Sequence, residues 1–168
     1  MILGLQHIDP QRIAAIDSSG AELRYAEISQ LSKHITSLIP TRSLCFLLVE
    51  NNVGGIAWVM SMLDSRQLVP LILNVKTEDT LYQQLLYTYQ PTYICAPNHF
   101  AVQGEVVDCQ YEYTLTKISN TTPTLHSELS HLLPTSGSTG SPKLVRHKYD
   151  NIEAAGLNIS TFFELKES

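Results

Sequence analysis

Three short apolar runs, Leu44 to Val49, Leu68 to Leu73 and Thr92 to Cys95, alternate with segments of helical periodicity, and this alternation leaves the chain few folds to adopt. Charge-free runs of this length suit strands buried on both faces, which belong to parallel sheets covered by helices. Between the first two runs, Ile56, Val59, Met60 and Leu63 fall at helical spacing behind a cap at Asn51 or Asn52. Between the second and third, Leu81, Leu85 and Tyr89 continue a helix opened by Thr77, Glu78 and Asp79, where a hydroxyl caps free N–H groups and acids suit the positive end of the dipole. The expectation is three neighbouring parallel strands with helices on the faces of the sheet.

The flanks extend this pattern. Ile13 to Ile16 and Leu23 to Tyr25 surround Asp17-Ser18-Ser19-Gly20, which predicts an N-terminal hairpin. Ile28, Leu31, Ile35, Leu38 and Ile39 then form one helical face that Pro40 ends. Beyond Pro97 the pattern weakens, with strands expected at Glu105 to Val107 and Tyr111 to Thr116 and a polar connection from Asn120 to Leu129. His131 to Leu133 reads as a strand end and Lys143-Leu144-Val145 as a strand start. Asp150 and Glu153 form a capping box for a last helix carrying Ile152, Ala155, Gly156, Ile159 and Phe163 on one side. The fold class is α/β: one domain over residues 1–168, a mostly parallel sheet flanked by helices, and an N-terminal hairpin.

Composition excludes several functions. With 43% hydrophobic and 16% charged residues the chain has a globular balance, and 168 residues bury enough surface to fold without disulfides. A net charge of −5 provides no basic footprint for nucleic acid. No apolar run is long enough to span a bilayer, so a cytoplasmic protein is expected. Cys45 and Cys95 lie in strand-like runs and read as reduced core thiols beside Cys109. The six histidines, at 7, 34, 99, 126, 131 and 147, show no metal-ligand spacing, so no metal site is assigned. Trp58, Met60 and Met62 read as helix-packing residues.

Chemistry concentrates between the last two strands, in Thr135, Ser136, Gly137, Ser138, Thr139, Gly140, Ser141, Pro142 and Lys143. Gly137 and Gly140 allow the positive φ that aims successive N–H groups at one anion, the hydroxyls add neutral donors, and Lys143 supplies a point charge. The composition also fits a plain Ser/Gly surface loop, but strands anchoring both ends favour a phosphate cradle. No Gly-Lys-Ser/Thr follows four residues after a glycine, so this is not the nucleoside-triphosphate P-loop. A Ser/Lys nucleophile built from Ser136 or Ser138 with Lys143 lacks a placed base, and no catalytic residue is assigned.

Thr135 to Lys143 resembles the phosphate-binding motif of the AMP-forming, adenylate-forming synthetases, the family of acyl-CoA synthetases, luciferases and peptide-synthetase adenylation domains. Ser138 stands where that family more often has threonine, Leu144 where it usually has glycine, and Tyr149 where histidine is common, while Asn151 fits. Leu23 to Ile28 and Ala57 to Leu71 resemble the family's first helix start and a later helix running into its "valine-proline-leucine" strand.

The resemblance implies an N-terminal subdomain of an enzyme that joins a carboxylic acid to ATP with release of pyrophosphate. A coenzyme A or carrier-protein thiol often accepts the acyl group, and Mg²⁺ is expected in the complete enzyme. It also implies that adenine, ribose and magnesium sites and a late catalytic lysine lie outside the motif, so the 168 residues alone are expected to be inactive. Three readings stay open: the N-terminal piece of a larger ligase, which is favoured, a short remnant kept for binding, and an interaction module that retains the loop.

Overall fold

A computed structural model describes residues 4–135 and 143–164. After a 3-10 turn at Leu5–His7 the chain forms β1 (Ile13–Ile16), β2 (Glu22–Arg24), α1 (Tyr25–Leu38), β3 (Ser43–Val49), α2 (Val53–Ser65) and β4 (Leu68–Asn74). Then come α3 (Asp79–Tyr89), β5 (Tyr93–Pro97), β6 (Glu105–Gln110), β7 (Tyr113–Lys117), β8 (Leu129–Pro134), β9 (Leu144–Lys148) and α4 (Tyr149–Phe162). β1 and β2 form the expected hairpin, and the remaining strands form one sheet in the order β6-β7-β5-β3-β4-β8-β9.

The three apolar runs are neighbours and run parallel, as their composition requires: β3 pairs with β4 from Ser43–Leu68 to Val49–Asn74, and with β5 from Cys45–Tyr93 to Leu47–Cys95. β8 extends the parallel set beside β4, while β7, β6 and β9 add antiparallel pairs at the two edges. The sheet is therefore mixed, with a parallel centre.

Strand alternation in β3 divides the core. Cys45 and Leu47 face one apolar cluster with Ile28, Leu31 and Ile35 of α1 and Trp58 and Met62 of α2, whereas Leu44, Phe46 and Leu48 face a second cluster with Tyr82 and Leu85 of α3. A strand packed on both faces has no room for a charge, which is why the run reads as continuously apolar.

Several local expectations change. α2 buries Ala57, Trp58, Ser61 and Met62 most deeply; of the predicted face Leu63 is buried, Val59 and Met60 are partly buried against the core, and Ile56 is exposed. Small residues decide this: a Cβ on Gly54 would stand 2.4 Å from the Tyr111 carbonyl and one on Gly55 would stand 2.6 Å from the Glu50 carbonyl, so the glycines admit the helix against the β6–β7 turn. Asn52 caps α2 as expected, accepting the Gly55 N–H at 2.8 Å. Asp17 also ties in the hairpin turn, because its second oxygen accepts the Val53 N–H at 3.2 Å.

The other predicted helix starts differ. Thr77 spends its hydroxyl on the Asn74 carbonyl at 2.6 Å, and Glu78 is the cap residue of α3. α4 begins at Tyr149 after Lys148, with no side-chain cap from Asp150. Of the side expected to be apolar, Ile159 and Phe163 are exposed, as are Leu157 and Phe162 beside them. Tyr111 belongs to the β6–β7 turn, where it and Glu112 have φ of 53° and 61°, a conformation usually left to Asn and Gly.

Candidate functional site

β8 and β9 deliver the predicted cradle to the carboxyl edge of the parallel strands, where open α/β sheets bind ligands. β8 is held at its centre, Leu71 of β4 pairing with Leu132. Register then runs up the hairpin through His131–His147, Leu132–Arg146 and Leu133–Val145 to Pro134–Leu144. The last tie is Thr135: its N–H and its hydroxyl both donate to the Lys143 carbonyl, at 2.9 and 3.1 Å. Residues 135 and 143 therefore meet across the neck of the loop.

Of the nine predicted site residues, only Thr135 and Lys143 are described, both exposed. Ser136, Gly137, Ser138, Thr139, Gly140, Ser141 and Pro142 lie outside the described residues. Thr135 holds the neck closed with its hydroxyl, while the hydroxyls expected as ligand donors, those of Ser136, Ser138 and Thr139, are among the residues not described. Lys143 makes no ion pair with any described acid, so its ammonium is available to an anion. Leu144, which replaces the family's usual glycine, packs against the cluster on the α3 side of the sheet. Tyr149 is buried under the Arg66 guanidinium, 4.3 Å from the ring centroid.

The stem of the hairpin contains a pair that sequence reading missed. His131 and His147 stack face to face across the two strands, with centroids 4.4 Å apart and planes within 2°. Ser130, an extra residue in β8, is fully buried and donates its hydroxyl to the His147 carbonyl at 2.8 Å. Burial, and then the charge of His147, holds His131 down at about 4. Spacing alone could not reveal the pair, since 16 residues separate the rings and only the register joins them.

The sign of the pH effect follows. His131 is easier to protonate unfolded, near 6.5, than folded, near 4, so its contribution to stability is present above 6.5 and is lost as pH falls towards 4. Because the ring is partly open to water, we expect a loss of roughly 1–2 kcal/mol, not the full value of the shift. Urea midpoints at pH 7 and pH 4.5 check this. His131→Gln should show a smaller drop than the wild-type chain, and equal drops would remove the His pair as the cause.

Two further cavities lie on the same domain. One of about 710 Å³ is bounded by Ile16, Val49, Ile56, Val59 and Met60 with Asp17 and Glu50. A smaller polar one of about 220 Å³ lies between the ends of β3 and β5, where Glu50 and His99 stand 3.4 Å apart.

Comparison with known proteins resolves what the fold is. No family model matches the chain, and no curated protein matches it. Solved structures do: o-succinylbenzoate CoA synthetase (MenE) from Bacillus subtilis in complex with the acyl-adenylate OSB-AMP aligns with a TM-score of 0.73 and 18% identity over 97% of this chain and 46% of that one. The same synthetase with ATP and a magnesium ion gives 0.70 and 17% over 97% and 47%. The N-terminal subdomain of Klebsiella oxytoca NpsA gives 0.64 and 17% over 90% and 42%. The chain has the fold of the N-terminal part of AMP-forming, adenylate-forming ligases. It spans less than half the length of each of these structures. The expected α/β architecture holds, and it is the N-terminal portion of these structures that the chain matches. Among the described residues no helix is long and apolar enough to cross a membrane.

Proposed function

We propose that residues 1–168 form one domain that holds the phosphates of ATP in a ligase activating a carboxylic acid as its acyl-adenylate, with residues 135–143 as the cradle. The observation that carries this reading is the hairpin neck: two hydrogen bonds from Thr135 to the Lys143 carbonyl hold Lys143 at the carboxyl edge of the sheet, its ammonium in no ion pair among the described residues. It is supported by a fold shared with a synthetase solved with ATP and a magnesium ion. A cradle of this kind works by position and charge, stabilising the pyrophosphate as it leaves.

The magnesium is a different matter. Among the described residues no three His, Cys, Asp or Glu side chains gather to hold a metal, and magnesium would enter together with the phosphates of ATP, which supply part of its oxygen shell. Adenine, ribose, acid and thiol would be held by further parts of the enzyme. The exposed apolar residues of α4 give such parts a surface to cover. A cytoplasmic setting belongs to this reading, since the enzyme would draw on ATP and Cys45 and Cys95 are buried free thiols.

Exchange of labelled pyrophosphate into ATP, driven by added carboxylic acids, tests the reading. The 168-residue chain should stay at background, and a protein joining it to the remainder of the fold should turn over with its own acid. Turnover by the chain alone would overturn the division of labour. Binding of ATP without exchange in the longer protein, for every acid tried, would favour a module that keeps the loop for binding only.

A further inference from the structure

The far end of the β8–β9 hairpin concentrates positive charge in a chain whose net charge is −5. Arg146 and Lys148 are two residues apart on β9 and so share one side of the strand, and both line a cavity of about 320 Å³ with His126 and Leu129. Neither cation is paired with an acid among the described residues, Glu128 and Asp150 included. Two unpaired cations on one concave wall repel each other, and an anion between them removes that repulsion.

The wall is built rather than incidental. His126 accepts the Glu128 N–H on Nδ1 at 3.1 Å, which leaves the proton of the neutral ring on Nε2 and makes that atom a donor. Arg42, reaching across from the start of β3, donates to the carbonyls of Arg66 at 3.1 Å, of His126 at 2.8 Å and of Leu129. The backbone at both His126 and Leu129 is thereby held, with a third cation behind them. Leu129 also donates its N–H to the His126 carbonyl at 3.0 Å, closing the turn between them. α4 starts immediately after Lys148, which brings the positive end of a 14-residue helix to this end of the strand, partly offset by Asp150 in its first turn.

We propose that this cavity is an anion site for a small phosphate-bearing molecule, with Arg146, Lys148 and His126 as the groups that contact the phosphate. A planar fork, a point charge and a neutral N–H donor suit a tetrahedral dianion. A cavity of about 320 Å³ takes a phosphate with a modest organic body, for which Leu129 supplies apolar wall. The site is separate from the cradle. Lys148 lies five residue steps of extended chain beyond Lys143, roughly 16 Å at the rise of a strand, so the inference does not rest on what residues 135–143 bind.

The test is titration of inorganic phosphate into the isotope-labelled 168-residue chain, following backbone amides by NMR. Saturable shifts at His126, Leu129, Arg146 and Lys148 are expected. The double variant Arg146→Gln/Lys148→Gln should weaken binding at these amides at least tenfold. The charge-matched pair Lys33→Gln/Lys76→Gln, on distant exposed lysines, should leave it within twofold, with unchanged melting confirming that both variants fold. Glycerol phosphate should bind more tightly than phosphate, and acetate at least fivefold more weakly. Shifts confined to Thr135 and Lys143, equal loss in both double variants, or acetate binding as well as phosphate would each overturn the proposal.

Discussion

Replacing Trp58 by alanine should cost about 3–5 kcal/mol of stability, the largest effect expected of any single substitution in the chain. Trp58 is fully buried at the centre of α2, in the cluster that joins α1 and α2 to β3, and its indole N–H donates to the Gln110 carbonyl at 3.1 Å. Removal opens a large cavity between elements whose backbones are already held close by Gly54 and Gly55, so the space cannot collapse easily. For a domain of this size the melting temperature should fall by roughly 10 °C or more. Trp58→Phe keeps most of the packing and loses the hydrogen bond, for an expected cost of about 1–3 kcal/mol. If alanine costs less than phenylalanine, or under about 1 kcal/mol, α2 is not packed through this residue.

Lys143→Ala should slow adenylation ten- to a hundredfold in a protein that carries the chain within a complete site, while leaving the fold intact. The side chain is exposed and unpaired among the described residues, so its loss removes no internal contact. What is lost is one charge-assisted contact to phosphate, about 1.5–3 kcal/mol. Lys143→Arg keeps the charge on a differently shaped head group and should fall between the two. An unchanged rate in the alanine variant, with the same melting temperature, would make Lys143 a surface lysine.

How far the sequence carried these conclusions depended on whether neighbouring residues or distant ones decide each feature. β3, β4 and β5 were legible because burial on both faces leaves a local mark, an uninterrupted apolar run, and β3 serves two clusters at once. The inner face of α2 was read only in part, Leu63 being buried and Ile56 exposed, for the converse reason. Ile56, Val59 and Met60 have the stronger apolar spacing, yet the helix is turned inward by Gly54, Gly55, Ala57 and Ser61, whose smallness matters only once Tyr113 and α1 are in place. The same distinction separates the loop from its stem. Glycines, hydroxyls and a lysine mark the proposed cradle in consecutive residues, whereas the stacked His131 and His147, and the cavity of His126, Arg146 and Lys148, exist only through the pairing of β8 with β9.

At the C-terminal end of the described chain, Ile159 and Phe163 were placed on one side by their spacing, and both are exposed along with Leu157 and Phe162, the two phenylalanine rings meeting edge to face at 5.0 Å. That exposure is what a part of a larger fold would show, and the solved structures that share the fold are more than twice as long as the aligned chain.

The most direct test of the cradle is a titration of pyrophosphate into the 168-residue chain, reading the backbone amides of Thr135 and Lys143 at the neck of the hairpin. Saturable shifts at both positions are expected, with affinity reduced at least tenfold by Lys143→Ala. No shift at either amide at saturating pyrophosphate, or an affinity unchanged by Lys143→Ala, would contradict the account.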